Sequence, residues 1–339
     1  MTYTQMALKE YVKTCIHLGS YHELIQGSGG NFSVKEEDIL IIKSSGRVLA
    51  ETTETSGFVK CSIEKLKECM KNPSIPIEAS VIGGSGEHSG DQGAKPSMEI
   101  FFHLLPHKWC IHIHPITFLV HLCQSTWTSL KSSYSVAYIP YLTPGKDLSF
   151  HILNNYKGER VLFLKNHGII VCGASREEVY TILDDLYIVN NISKFNKGEF
   201  SQSYALSEYI ESRIQEPVVL KHCKSRHVFH GRLFLPITPD ISLFLKHSPM
   251  VKEVKNESLE HLFDSYYKIF SCAPSIIKIM NNMYICAKTH HRCVMIEEIL
   301  DAYLEIYQNS IVGKLDFFDD SAVTTLTCSE SEKYRLGLQ

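Results

Sequence analysis

The chain has 339 residues, 44% hydrophobic and 21% charged, a balance that builds a globular core and excludes general disorder. The formal net charge is −3 and no long block of like charges occurs, which excludes the basic footprint of a nucleic-acid binder or of a tail for anionic membranes. The 11 cysteines are dispersed from Cys15 to Cys328 without a Cys-x-x-Cys pair, which fits buried thiols in a reducing compartment; 17 histidines are a larger supply of the commonest metal ligand.

Residues 5–18 read as a first helix, with Met6, Leu8, Tyr11 and Ile16 among its apolar positions. Lys9, Glu10 and Lys13 interrupt any signal-peptide core, and no run approaches the roughly 18 apolar residues of a membrane span. No membrane partner is expected, and the expected location is cytoplasmic. Gly27-Ser28-Gly29-Gly30-Asn31 must be a tight loop. Short strands are predicted at Phe32–Val34 and Ile39–Ile42, joined by the polar turn Lys35–Asp38 and followed by a Ser44-Ser45-Gly46 turn. Residues 81–96, with glycines at 83, 84, 86, 90 and 93, read as a mobile loop. A helix is predicted from about Ser97, with Ile100, Phe101, Leu104 and Leu105 as its apolar face. Trp109–His114 reads as a buried strand closed by Pro115, and Thr143-Pro144-Gly145 as a turn. Two apolar strands, Val161–Lys165 and Ile169–Cys172, flank Asn166-His167-Gly168. Ser175-Arg176-Glu177-Glu178 has the form of a capping box. The helix that it opens carries Val179, Ile182, Leu183, Leu186, Val189 and Ile192 on one face.

The predicted partition is a core over 1–195, a linker or excursion over 196–230, a C-terminal α/β extension over 231–320 and a tail over 321–339. The extension echoes the core. Adding 114 to the numbers of Val161–Asp185 brings Cys172 onto Cys286, Ser175 onto Thr289 and Ile182 onto Ile296. Two apolar strands, a turn, a cap and a helix recur in that order. His167-Gly168 becomes Asn281-Asn282, so a second copy would lack that histidine. Chance resemblance of two such units is the other reading.

Ile111-His112-Ile113-His114 is the strongest local signal. Residues i and i+2 of a strand point to one side, so both imidazoles could grip one zinc; two histidines on a solvated strand face is the plainer account. His167 could complete three ligands with an open fourth position, the pattern of catalytic zinc, although an isolated Asn-His-Gly is also an ordinary hairpin turn. Glu99 falls in the first turn of the predicted helix, where the dipole favours a carboxylate and so capping alone accounts for it. The same helix start, with the Ser97 hydroxyl, would suit a phosphate. Gly29-Gly30-Asn31 and Ser44-Ser45-Gly46 could add donors to an anion. His103, His107 and His121 read as packing or surface residues.

Taken in order, five segments resemble the class II aldolase/adducin family, which includes fuculose- and rhamnulose-phosphate aldolases and ribulose-5-phosphate 4-epimerases. They are Gly27–Val34, Ser45-Gly46, Pro96-Ser97-Met98-Glu99, His112-Ile113-His114-Pro115, and Lys165-Asn166-His167-Gly168 through Cys172-Gly173. The runs VKEEDILIIKSSGRVLAE, KPSMEIFFHLLPHK and FLPITPD are most similar to the aldolase domain of rhamnulose-phosphate aldolase/dehydrogenase-type proteins. The resemblance covers about residues 5–195. It implies an α/β/α sandwich with a mainly antiparallel central sheet, here with a C-terminal extension of strand-turn-helix units, and assembly as a homo-oligomer, often a tetramer. It also implies one zinc or other divalent ion per chain on His112, His114 and His167, with Glu99 as acid/base. Gly30, Asn31, Ser45, Gly46 and Ser97 would hold the phosphate of a sugar-phosphate substrate. Met98 departs from the pattern: it stands where the fuculose-phosphate type has a second serine.

The implied reaction is aldol cleavage or formation of a ketose carbon–carbon bond through a metal-stabilised enediolate. Glu99 would move protons at the enediolate carbon, and Lys43 and Lys165 need no catalytic role. The alternatives are a sugar-phosphate epimerase or dehydratase on the same site, or a non-catalytic adducin-like scaffold.

Overall fold

A computed structural model describes residues 2–26, 28–82, 94–124, 127–192, 198–223, 244–245, 249–253 and 257–309. The chain divides into two compact units, Met1–Gln202 and Ser203–Gln339.

In the first unit, seven strands alternate apolar side chains to two faces. They are β1 (Asn31–Glu36), β2 (Ile39–Lys43), β3 (Phe58–Ser62), β4 (Trp109–Ile113), β5 (Val136–Ile139), β6 (Val161–Leu164) and β7 (Gly168–Gly173). They form one sheet in the order β3-β2-β1-β4-β7-β6-β5. All pairings are antiparallel except β5 with β6. The five α-helices of this sheet are α1 (Tyr3–Gly19), α2 (Ile63–Lys71), α3 (Ile116–Leu122), α4 (Lys146–Asn155) and α5 (Arg176–Val189).

A sheet that is apolar on both faces needs a layer on each. On one face Leu40, Ile42, Val59 and Cys61 pack with Leu66 and Cys69 of α2. Cys110, Leu162, Ile170 and Cys172 continue that face against Leu148 and Ile152 of α4. Their strand neighbours turn the other way. There Tyr11 of α1 meets Phe58 at 6.3 Å, and Phe118 of α3 meets Phe163 at 6.2 Å and Tyr187 of α5 at 5.2 Å. Burying a side chain of this size stabilises the fold by about 1.5–3 kcal/mol. The result is the expected α/β/α sandwich around a mainly antiparallel sheet.

Three local expectations need correction. The helix expected from Ser97 is a single 3-10 stretch, Ile100–Leu104. Pro106 ends it by steering Leu105 to an extended ψ of 143°. At α5, Ser175 accepts from the N–H of Glu178, but the returning carboxylate of Glu178 takes the N–H of Ala174 at 2.6 Å; Ile192 falls beyond the helix end. The stretch 196–230, expected as a linker or excursion, carries α6 (Glu199–Ile214) and β8 (Val219–His222). Most of the 81–96 loop lies outside the described residues.

The second unit has a four-stranded sheet of β8, β9 (Met250–Lys252), β10 (Ile276–Ile279) and β11 (Asn282–Ala287), in the order β8-β11-β10-β9. Helices α7 (Leu259–Phe270) and α8 (His290–Asn309) accompany it. Phe263, Ile277, Ile285 and Leu300 are fully buried in it. No described helix is long and apolar enough to cross a membrane.

Candidate metal centre and active site

The site grows from the middle of the larger sheet. β4 carries His112, the chain just past its end carries His114, and the β6–β7 turn carries His167. Asn166 takes the left-handed conformation in that turn, φ 55°. Gly168 lets it close over the end of β4: a Cβ there would lie 2.4 Å from the Ile113 carbonyl oxygen and 2.8 Å from the His114 ring. The packing of this turn on the end of β4 brings the three imidazoles together.

Their Nε2 atoms converge. His112 Nε2 lies 3.2 Å from His167 Nε2 and 3.0 Å from His114 Nε2, and the three ligand atoms all lie within 4.8 Å of one another. His112 Nδ1 is 3.1 Å from the Ile169 carbonyl oxygen. A carbonyl only accepts, so Nδ1 carries the proton and Nε2 presents its lone pair to the cluster. Three imidazoles cannot satisfy one another at these distances, whereas a cation between them would accept all three lone pairs; the donor set therefore fits a divalent metal. Burial keeps the rings neutral and ligand-ready. It holds His112 well below the usual histidine range, lowers His114 to about 3, and lowers His167, with the neighbouring rings adding to the effect on the first two.

Glu99 belongs to the cluster and not to a helix cap. It sits at the head of the 3-10 stretch, where its side chain makes no capping bond. Its carboxylate is buried, with Oε2 3.5 Å from His112 Nε2 and Oε1 3.4 Å from His167 Nε2. Asn31 Nδ2 donates to Oε2 at 2.8 Å. Oε1 has no hydrogen-bond partner.

The expected phosphate donors are placed as follows. Asn31 faces His112 across the β1–β4 pair, and its amide is spent between Glu99 and His103, whose Nε2 is 2.5 Å from Asn31 Oδ1. Gly30 precedes it at φ 64°, where a Cβ would lie 2.7 Å from the His112 carbonyl oxygen. The Ser45 N–H is taken by the Lys95 carbonyl at 2.8 Å, and the Ser97 N–H by Lys43 at 3.1 Å. Their hydroxyls, and the Gly46 turn beside open space, are what remains for an anion. Met98 is exposed, and its terminal methyl lies against Gly145 at the start of α4.

Two residues that the sequence offered no role support the site. His103 is fully buried and links Ser33 Oγ, at 2.7 Å from Nδ1, to Asn31. Its spacing of four from Glu99 is the one trace of this in the sequence. Lys43 donates its ammonium to the carbonyls of Ser28 and Gly29, pinning the glycine loop beside His114; burial lowers it to about 8.

Residues 9–187, more than half of the chain, match the Class II Aldolase and Adducin N-terminal domain, and the chain belongs to that family. Among characterised relatives it is similar to the L-fuculose phosphate aldolase of Methanococcus vannielii, 24% identical over 202 residues that span 55% of this chain and 97% of the relative. It is also similar to the L-fuculose phosphate aldolase of Escherichia coli K12, 22% identical over 195 residues, 53% of this chain and 79% of the relative. Among solved structures it aligns with the N-terminal class II aldolase domain of a conserved Thermoplasma acidophilum protein at a TM-score of 0.45 and 26% identity, covering 54% of this chain and 92% of that one. An L-fuculose 1-phosphate aldolase aligns at a TM-score of 0.40 and 18% identity, covering 60% and 96%.

Proposed function

We propose that this chain is a divalent-metal-dependent aldolase that forms or cleaves a carbon–carbon bond of a ketose, most simply a sugar phosphate. The observation that carries the reading is the convergence of three neutral Nε2 atoms on one point with a buried carboxylate within 3.5 Å.

His112, His114 and His167 would hold the ion. Three nitrogens with room for a further ligand favour zinc. When bound, the ion supplies a Lewis acid for the negative charge of an enediolate oxygen. Glu99 is the acid/base. Asn31 fixes its Oε2, which leaves Oε1, the oxygen without a hydrogen bond, to take or return the proton at the enediolate carbon. Asn31 serves Glu99 first, so the anion subsite rests on Gly30, Gly46 and the hydroxyls of Ser45 and Ser97, with Met98 absent from it. All ten described cysteines are free thiols, which supports a reducing, cytoplasmic location. A homo-oligomer is part of the reading and sedimentation tests it.

The zinc-loaded protein is incubated with dihydroxyacetone phosphate and a panel of aldehydes. A condensation product is expected. With a pentulose phosphate supplied instead, its epimer without free fragments would favour the epimerase; loss of water from a supplied sugar phosphate would favour the dehydratase, and no turnover of any of these with metal bound the scaffold.

A further inference from the structure

Residues 219–309 repeat the half of the first sheet that runs from β4 to α5. The strand orders are β4-β7-β6-β5 and β8-β11-β10-β9. In both, the successive pairings are antiparallel, antiparallel and parallel. The register also agrees: Trp109 faces Gly173 and Cys110 faces Cys172, as Val219 faces Ala287 and Leu220 faces Cys286. β11 and α8 each begin 114 residues after β7 and α5. The turns share a left-handed residue, Asn166 at φ 55° and Met280 at φ 53°; the second is one residue shorter, so that Val161 faces Val171 as Ile276 faces Ile285. Ser175 and Thr289 each cap the N–H three residues on, both at 3.2 Å.

The positions of Ile111 and Leu183 carry Lys221 and Glu297, and these two form a buried ion pair at 2.5 Å. The metal cluster is not repeated. His222 stands for His112, but Asn281 stands for His167; Lys224, which spacing sets against His114, lies outside the described residues.

The two copies differ in what fills one place. In the first, His107 bonds to the Tyr156 hydroxyl, and Arg160 bonds to His107 at 2.8 Å and pairs with Glu178. Their counterparts are Pro217, Ser271, Ser275 and Arg292, and all four line a cavity of about 500 Å³. That volume lies within the range of small-ligand pockets.

We infer that the C-terminal unit is a second copy of the β4–α5 half, in which the polar plug has been emptied to make a binding pocket for a small apolar organic anion. Proline and two serines stand where two rings and a guanidinium fill the first copy, and this makes the space. Glu178 to Arg292 reverses the sign of the charge at the head of the helix. Lys288 and Glu216 on the wall pair at 2.9 Å, and Arg292 brings a guanidinium to the lining. Its guanidinium lies 4.0 Å from the centre of the Phe244 ring. With Tyr267 and Ile296, Phe244 gives the ligand an apolar wall. The reaction at the histidine cluster is not needed for this inference.

The test titrates the full chain with anilinonaphthalene sulfonate, an aryl anion that fluoresces in apolar surroundings. Saturable binding at about one site per chain is expected. Arg292→Glu, which installs the first copy's residue, and Ala273→Phe, which fills the cavity, should each weaken it by about tenfold or more. His112→Ala should leave it unchanged. Hydrogen exchange of the wild type with the probe gives a readout without variants, and protection is expected over residues 271–276 and 288–293. No saturable binding, undiminished binding in a folded Arg292→Glu or Ala273→Phe protein, or protection confined to other segments would each overturn the proposal.

Discussion

Glu99 is useful at this site because its two oxygens have different environments. One is held by Asn31 and the other faces the cluster without a hydrogen bond. Glu99→Gln keeps the shape and removes the base. Its metal content should equal the wild type's while the aldol rate drops by about 10²–10⁴-fold; retained activity in a rate assay would remove Glu99 from the chemistry. Asn31→Ala should lower kcat more than it raises KM, because the amide is spent on Glu99 and His103 and not on a ligand; steady-state kinetics separates the two. The pairing of His112 and His114 was legible in the sequence because strand alternation alone puts them on one side. His103 was not, since its role depends on Ser33 and Asn31 of β1 lying beside it, 70 and 72 positions away, which no local pattern encodes.

At the scale of elements, short connections decide where the site forms. The β6–β7 turn brings His167 over the end of β4 only because residue 168 has no side chain. Gly168→Ala should cost about 1–3 kcal/mol and also loosen the metal site, as read by chemical denaturation and metal titration. A turn one residue shorter and without the histidine recurs before β11, and between β8 and α8 the copy trades apolar residues for a buried ion pair. Lys221→Met alone should destabilise by about 3–5 kcal/mol, while Lys221→Ile with Glu297→Leu, the residues of the first copy, should be near neutral or stabilising. A double-mutant cycle by denaturation distinguishes these outcomes. The strands on both sides of each turn were legible from apolar runs. The segment after Ser97 was misread as an α-helix because its apolar spacing is helical, whereas the chain forms a 3-10 stretch there that Pro106 ends.

The whole molecule keeps several histidines neutral by burial. His17 is pushed down to about 3, His114 likewise, and His103 and His112 lie well below the usual range. Their folded values are depressed, so the unfolded chain binds more protons as the pH drops. The stability that depends on their neutrality is complete above about 6.5 and is lost as the pH falls from there toward about 3. The metal-free protein should therefore show a melting temperature that falls steadily as the pH is lowered from about 7 to about 5; a flat profile by calorimetry would contradict the burial account.

At this scale the sequence carried the family and the sandwich, because five motifs in order are a long-range signature. The strand order that makes the C-terminal unit a copy was visible there only as a faint echo at a spacing of 114. Its strongest evidence, the shared register and pairing senses, exists only between strands. The central claim is that the three histidines form one metal site. The metal content of the zinc-loaded, gel-filtered full chain, measured beside that of His112→Ala, tests it most directly. About one equivalent is expected in the wild type and almost none in the variant; a wild type without bound metal, or a variant that retains it, would contradict the claim.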